Sequence, residues 1–334
     1  MKRHFAVKLA MLFTLGLYGS VFMFEAAQPG LLRDTIDAGW SDPDKSQASD
    51  RAISAIPDSW VDSGKGQTRL LYQDYAAVYG STYEPRNQGN APSCVGQATA
   101  AAVDFLAAVQ IAKGYDERPP YAGASAAIIY GLSRHQIGHI PPEFGGGSHC
   151  VWACQAIQQY GVVPMVDYPL IGVYLAEPSA KLCVEYGRTG VSTALQDIAK
   201  LHPVIEFIKI QSFNELRDAM QNGCPVVVGS RQGFGDTGLL TRDEDGFLVP
   251  PRGLFRKSQW AHAMVFIGVR DSGRKGALIL NSWGPDWVQG PKAFGDEPEG
   301  SFWADDEVVN KMLSYGDSYA IYCFIGYPKY HIWR

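Results

Sequence analysis

The stretch from Val95 to Lys113 constrains the fold more than any other part of the chain. Its apolar side chains fall at Val95, Ala98, Ala102, Phe105, Leu106 and Val109, the three-four spacing of a helix face turned into a core. Gly114 stands where such a helix would end, and Pro92-Ser93 where it would begin. A helix this long and apolar has to lie at the centre of whatever the chain builds. Cys94 opens it. On a first turn a thiol meets N–H groups that lack intrahelical carbonyls and the positive end of the helix dipole, and both favour the nucleophilic thiolate. The bland alternative is a small buried hydrophobe, a common use of an unbridged cysteine.

Two later stretches bear on that choice. Gln259 to Val269 and Ala277 to Trp287 are strand-like apolar runs with one polar residue at the mouth. His262 enters the first and Asn281 leaves the second. A thiol nucleophile needs a base to hold its proton and return it to a leaving group, and histidine titrates near neutrality. The imidazole needs a partner that fixes its tautomer, and a carboxamide oxygen can accept its second N–H. Gln88, a short step upstream of Cys94, adds a side-chain amide donor.

Cys94 with Gln88, His262 in a His-Ala-Met-Val run, and Asn281 in Asn-Ser-Trp-Gly-x-x-Trp resemble the papain-like cysteine peptidases over about Leu71 to Tyr327. The resemblance implies an α+β, two-lobed fold: a helical N-terminal lobe at about 86–175, a β-barrel-like C-terminal lobe at about 200–334, and an active site in the cleft between them. It implies Cys94 as nucleophile, His262 as base and acid, and Asn281 as the group that orients the imidazole. Gln88 and the Cys94 N–H would hold the oxyanion. Gly146, Gly147, Ala263, Trp283 and Trp287 would contact a peptide or protein substrate. A peptide-binding module without catalysis, and a cell-envelope amidase or transpeptidase using the same triad, are the alternatives.

Departures from the family pattern accompany this. Ala91 stands where the family carries a structural cysteine, so the usual disulfide from this loop cannot form. Pro92 replaces a glycine, Val95 a tryptophan, and Ala261 a polar residue. The separations from Cys94 to His262 and Asn281 exceed the roughly 130–150 residues of plant-type members. The surplus is expected in loops within 165–200 and 231–257. No helical inhibitory propeptide is expected, because 28–68 is polar, rich in Asp, Ser, Gly and Pro, and without a helical stripe; it reads as a linker.

At the N-terminus Lys2, Arg3, His4 and Lys8 precede an uncharged run from Leu9 to Phe24. Positive then apolar is the pattern of a secretory signal, while the run is shorter than the roughly 20 residues of a span. Residues 1–27 are therefore expected to be a signal peptide or an N-terminal membrane anchor. Either places the catalytic domain, 69–334, outside the cytoplasm. A net charge of −5 and no basic stripe exclude nucleic acid as a partner.

Other local patterns set further expectations. A helix is expected over 124–136, another over 150–160, and one opened by the capping box Ser212 to Glu215. A buried strand follows at 225–229, a hairpin tip at 241–246, a short helix at 305–313 and a last strand at 318–326. Helices first and strands afterwards argue α+β. His149, Cys150 and Cys154 are close in sequence, and His135 and His139 have helical spacing, but neither set has the paired Cys-x-x-Cys or the glutamate of a zinc site. No metal or other cofactor is expected. Among the remaining cysteines, Cys224 and Cys323 read as buried thiols in strand regions, and a bond from Cys150 or Cys154 to Cys183 stays open.

Overall fold

The long apolar helix takes its expected place, and everything else packs around it. The computed structural model describes residues 63–114, 122–235, 239–250 and 259–325. The expected leader at 1–27 and most of the linker at 28–68 lie outside the described residues. The helix runs Cys94–Ala112 (α2) and is preceded by Leu71–Tyr79 (α1). Every residue from Cys94 to Val109 is buried. A one-sided stripe understates this: α1, Ala126–Gly131 (α3) and Cys150–Gln159 (α4) cover one side of α2, and the sheet covers the other. A helix buried all round needs small residues where neighbours approach. Gly96 supplies one, since a Cβ there would lie 2.6 Å from the Ala126 carbonyl oxygen and 2.7 Å from Tyr130 Cβ. Phe105 is fully buried at the helix centre, and its truncation to alanine would cost about 3–5 kcal/mol.

The sheet is seven-stranded and antiparallel throughout. Its strands are Thr68–Leu70 (β1), Val204–Lys209 (β2), Val226–Gln232 (β3), Gln259–Arg270 (β5), Gly276–Leu280 (β6), Ser301–Asp305 (β8) and Asp317–Phe324 (β9). They are ordered β2-β9-β3-β5-β6-β8, with β1 also on β5. Leu240–Thr241 (β4) and Val288–Gln289 (β7) form a separate parallel pair. The Val-Val-Val of β3 and all of β6 are buried, as a strand covered on both faces requires. This is the expected α+β architecture, with most helices before most strands in the chain.

Several local expectations give way. Leu71–Tyr79 forms a helix ending at Gly80 in the left-handed conformation, where no helix was expected. The surplus within 165–200 is not loop throughout: it contains Ala180–Thr189 (α5) and Thr193–Ala199 (α6). Their helical signal is weak because only one face of each short segment meets the core. The helix expected over 124–136 is α-helical only to Gly131 and continues as a π-helical turn, Leu132–Ile137. No hairpin forms at 241–246; Asp243 instead accepts the Asp245 and Phe247 N–H groups in a local turn, while β4 pairs with distant β7. The capping box does form, Ser212 Oγ accepting the Glu215 N–H before Phe213–Gln221 (α7), and Asp306–Leu313 (α8) matches its expected span. No disulfide joins the cysteines. Cys323 is exposed, which corrects its assignment as a buried thiol.

Candidate active site

Three elements converge at the first turn of α2. Cys94 is its first helical residue. His262 lies in β5, and Asn281 follows β6 directly. β5 and β6 are antiparallel with Val265 opposite Leu280, so continuing each strand past that pair brings residues 262 and 281 to one edge. There His262 Nε2 and Asn281 Oδ1 are 2.7 Å apart. Asn281 Oδ1 also accepts the Ser282 N–H at 2.7 Å, which marks that atom as the amide oxygen. Nε2 is therefore the donor, and in the neutral ring Nδ1 carries the lone pair. Nδ1 is buried with no hydrogen-bond partner among the described residues. The Cys94 Sγ accepts the Ala263 N–H at 3.3 Å, so the sulfur rests against the residue that follows the imidazole.

Burial pushes the His262 imidazole down to about 4, only partly offset by the bond to Asn281. The resting ring is neutral at pH 7 and able to take a proton on Nδ1. Trp283 lies against it, tilted by 32°, at 4.7 Å between ring centroids, and the Trp287 edge meets Trp283 at 5.3 Å. Trp260 closes the same cluster at 4.9 Å from Trp283. These rings keep water from the His262–Asn281 hydrogen bond.

Gln88 reaches the site on a segment anchored to α2 from outside. Arg86 donates to Asp104 at 2.6 Å, and the Tyr83 hydroxyl donates to the same carboxylate at 2.9 Å. This buried acid inside an apolar helix thus fixes the approach of residues 83–88. Gln88 Oε1 accepts from the Ser282 hydroxyl at 2.7 Å, and Nε2 donates one N–H to the Ala91 carbonyl at 2.9 Å. The amide has a second N–H to give. Ser282, part of the Asn-Ser-Trp-Gly motif, is thus the residue that orients Gln88.

The glycine loop lies beside the same turn, and its members differ. Gly147 is buried, its N–H donating to Tyr130 Oη at 2.9 Å and its carbonyl accepting from Arg134 at 2.8 Å. Gly146 is exposed and presses on Pro92, where a Cβ would come within 1.9 Å of Cγ. Gly147 therefore has no N–H to offer a substrate, whereas Gly146 makes no hydrogen bond among the described residues. Ala263 is buried, with its N–H on the sulfur. Among the described residues no group of three or more His, Cys, Asp or Glu is placed to hold a metal ion. His149 lies beside Asp317, and His139 sits past the π-helical turn with a positive φ of 49°. For Tyr130 the sequence offered only a place on the packed face of the helix over 124–136, and for Arg134 no signal, since it stands in the polar stretch Ser133 to Gln136.

No family model and no curated protein matches the sequence. Solved structures do. The crystal structure of xylellain, a cysteine protease from Xylella fastidiosa, aligns over 89% of this chain and 96% of its own with a TM-score of 0.56 at 18% identity. A procathepsin B from Trypanosoma congolense aligns over 86% of this chain and 85% of its own with a TM-score of 0.51 at 12% identity. The fold of this chain is the papain-like fold.

Proposed function

We propose that this protein is a cysteine peptidase in which Cys94, His262 and Asn281 cleave peptide bonds with Gln88 at the oxyanion. One observation carries the proposal: His262 spends Nε2 on Asn281 and keeps Nδ1 open, while the Cys94 sulfur rests on the next residue's amide. His262 Nδ1 takes the thiol proton as the sulfur attacks the substrate carbonyl. The oxyanion is held by the second Gln88 N–H and the Cys94 N–H. The imidazolium then returns its proton to the departing amine, leaving a thioester. Water, deprotonated by the same ring, releases the acid and restores the thiol. Gly146 main chain lines the acyl side, and Trp283 with Trp287 wall the leaving-group side.

The basic start and apolar run before residue 28 support a peptidase exported from the cytoplasm, either secreted or tethered by that segment. Mass spectrometry of the mature N-terminus separates the two. The test of the chemistry is labelling with an epoxide thiol-protease probe together with hydrolysis of fluorogenic peptides. Wild type is expected to react once and to hydrolyse, and Cys94→Ala and His262→Ala to do neither. Labelling that persists in Cys94→Ala would overturn the nucleophile. Peptides left intact beside a cleaved cell-wall amide would shift the substrate to the envelope.

A further inference from the structure

We propose that Arg134 is a positioning residue that sets the glycine loop at the depth from which it can hold an extended substrate, an inference that rests on the peptidase proposal above. Arg134 is 2% exposed, yet among the described residues it forms no ion pair. Its guanidinium is spent on three main-chain carbonyls: Nε on Gly187 at 2.9 Å, Nη1 on Gly147 at 2.8 Å and Nη2 on Phe144 at 2.7 Å. Burying a cation is costly, and a leucine or methionine would fill the space without that cost. The fork therefore marks what its donors hold. Gly187 belongs to the last turns of α5, whose carbonyl end is the negative end of the helix dipole, so this contact fastens the arginine to the scaffold. The other two contacts hold both ends of the segment Phe144–Gly147.

That segment has few other restraints. Phe144, Gly145 and Gly146 are exposed, no disulfide crosses the loop, and Gly145 and Gly146 make no hydrogen bond among the described residues. Tyr130 Oη takes the Gly147 N–H from the other side. Held between Tyr130 and Arg134, the loop presses Gly146 against Pro92, two positions before the sulfur-bearing residue. Main chain left open on a fixed loop beside a nucleophile is what an extended peptide pairs with. The π-helical turn Leu132–Ile137 carries Arg134, and such turns re-aim side chains at functional sites.

The experiment compares wild type, Arg134→Lys and Tyr130→Phe in peptide kinetics and amide hydrogen exchange. Lysine keeps the charge and loses the planar fork. The expected result is a KM raised about tenfold with kcat within about twofold, the signature of lost uniform binding, in both variants. The hydrogen-bonded Phe144 and Gly147 amides are expected to exchange at least about tenfold faster while those of α2 do not change. Unchanged KM and unchanged loop protection in folded Arg134→Lys would overturn the proposal, as would fewer probe-titratable sites at unaltered KM. Should Arg134→Lys fail to fold, Tyr130→Phe decides by the same two readouts. If the wild type cleaves no peptide, the peptidase proposal fails, and loop exchange still shows whether Arg134 holds the loop.

Discussion

Cys94 and Cys150 occupy the same local position. Each is the first residue of a helix, and each is fully buried. Their partners are opposite. Cys94 rests on the Ala263 N–H beside an imidazole with an open lone pair. Cys150 sits against Asp317, whose carboxylate accepts the Cys150 and Val151 N–H groups at 2.9 and 3.0 Å and so fills the anion place at that helix start. Burial first, and the Asp317 charge after it, push the Cys150 thiol well above the usual range. For Asp317 itself burial alone would act the other way, but His149 and the two amides outweigh it and hold the carboxyl below its ordinary value. A helix N-terminus does not make a nucleophile; the group that reaches it first decides.

The largest expected effect follows from that contrast. Cys94→Ala should lower kcat by about 10⁶-fold, whereas Cys150→Ala should leave peptide turnover within about threefold of wild type. Equal losses from both would erase the distinction. Next, Gln88→Ala should cost about 10²–10³ in kcat with little change in KM, because in the proposed reaction its second N–H meets charge that exists only on the way to the intermediate. A pure KM effect would move Gln88 from the oxyanion to ground-state binding.

The histidine makes a third test, through stability. Its folded value of about 4 lies below the ordinary histidine range, so between about pH 6.5 and 4 the unfolded chain binds the extra proton. Stability from this group is present at pH 7 and falls as pH drops through that window, by roughly 3 kcal/mol in total. Denaturant titrations at pH 7 and pH 4 should show that loss in wild type and lack it in His262→Gln. The smallest effect concerns the second cysteine. Asp317→Ala should cost about 1–2 kcal/mol through loss of the helix-start contact, and should make Cys150 more reactive to maleimide in the folded protein. Unchanged thiol reactivity would mean that burial alone silences it.

Much of this was legible in the sequence, and unevenly. The central helix, the His262 strand and the Asn-Ser-Trp-Gly strand end were readable because long periodic runs and a rare motif each carry their own signal. The helices of 180–199 were not, because short segments take their helicity from packing rather than from pattern. Gly146 and Gly147 look alike in sequence and part only in the fold, where Tyr130 and Arg134 occupy the main chain of one.

The chain by itself determined which side chains exist for the chemistry: a thiol at a helix start, an imidazole and a carboxamide at strand mouths, and a glutamine upstream. Local pattern carries such information because hydrophobic period and turn chemistry act over a few residues. Which ring nitrogen of His262 stays open, which residue orients Gln88, and which glycine keeps an open main chain were decided by tertiary structure alone. Those outcomes depend on antiparallel register and on contacts between residues far apart in sequence, and a hydrogen bond exists only where both partners arrive.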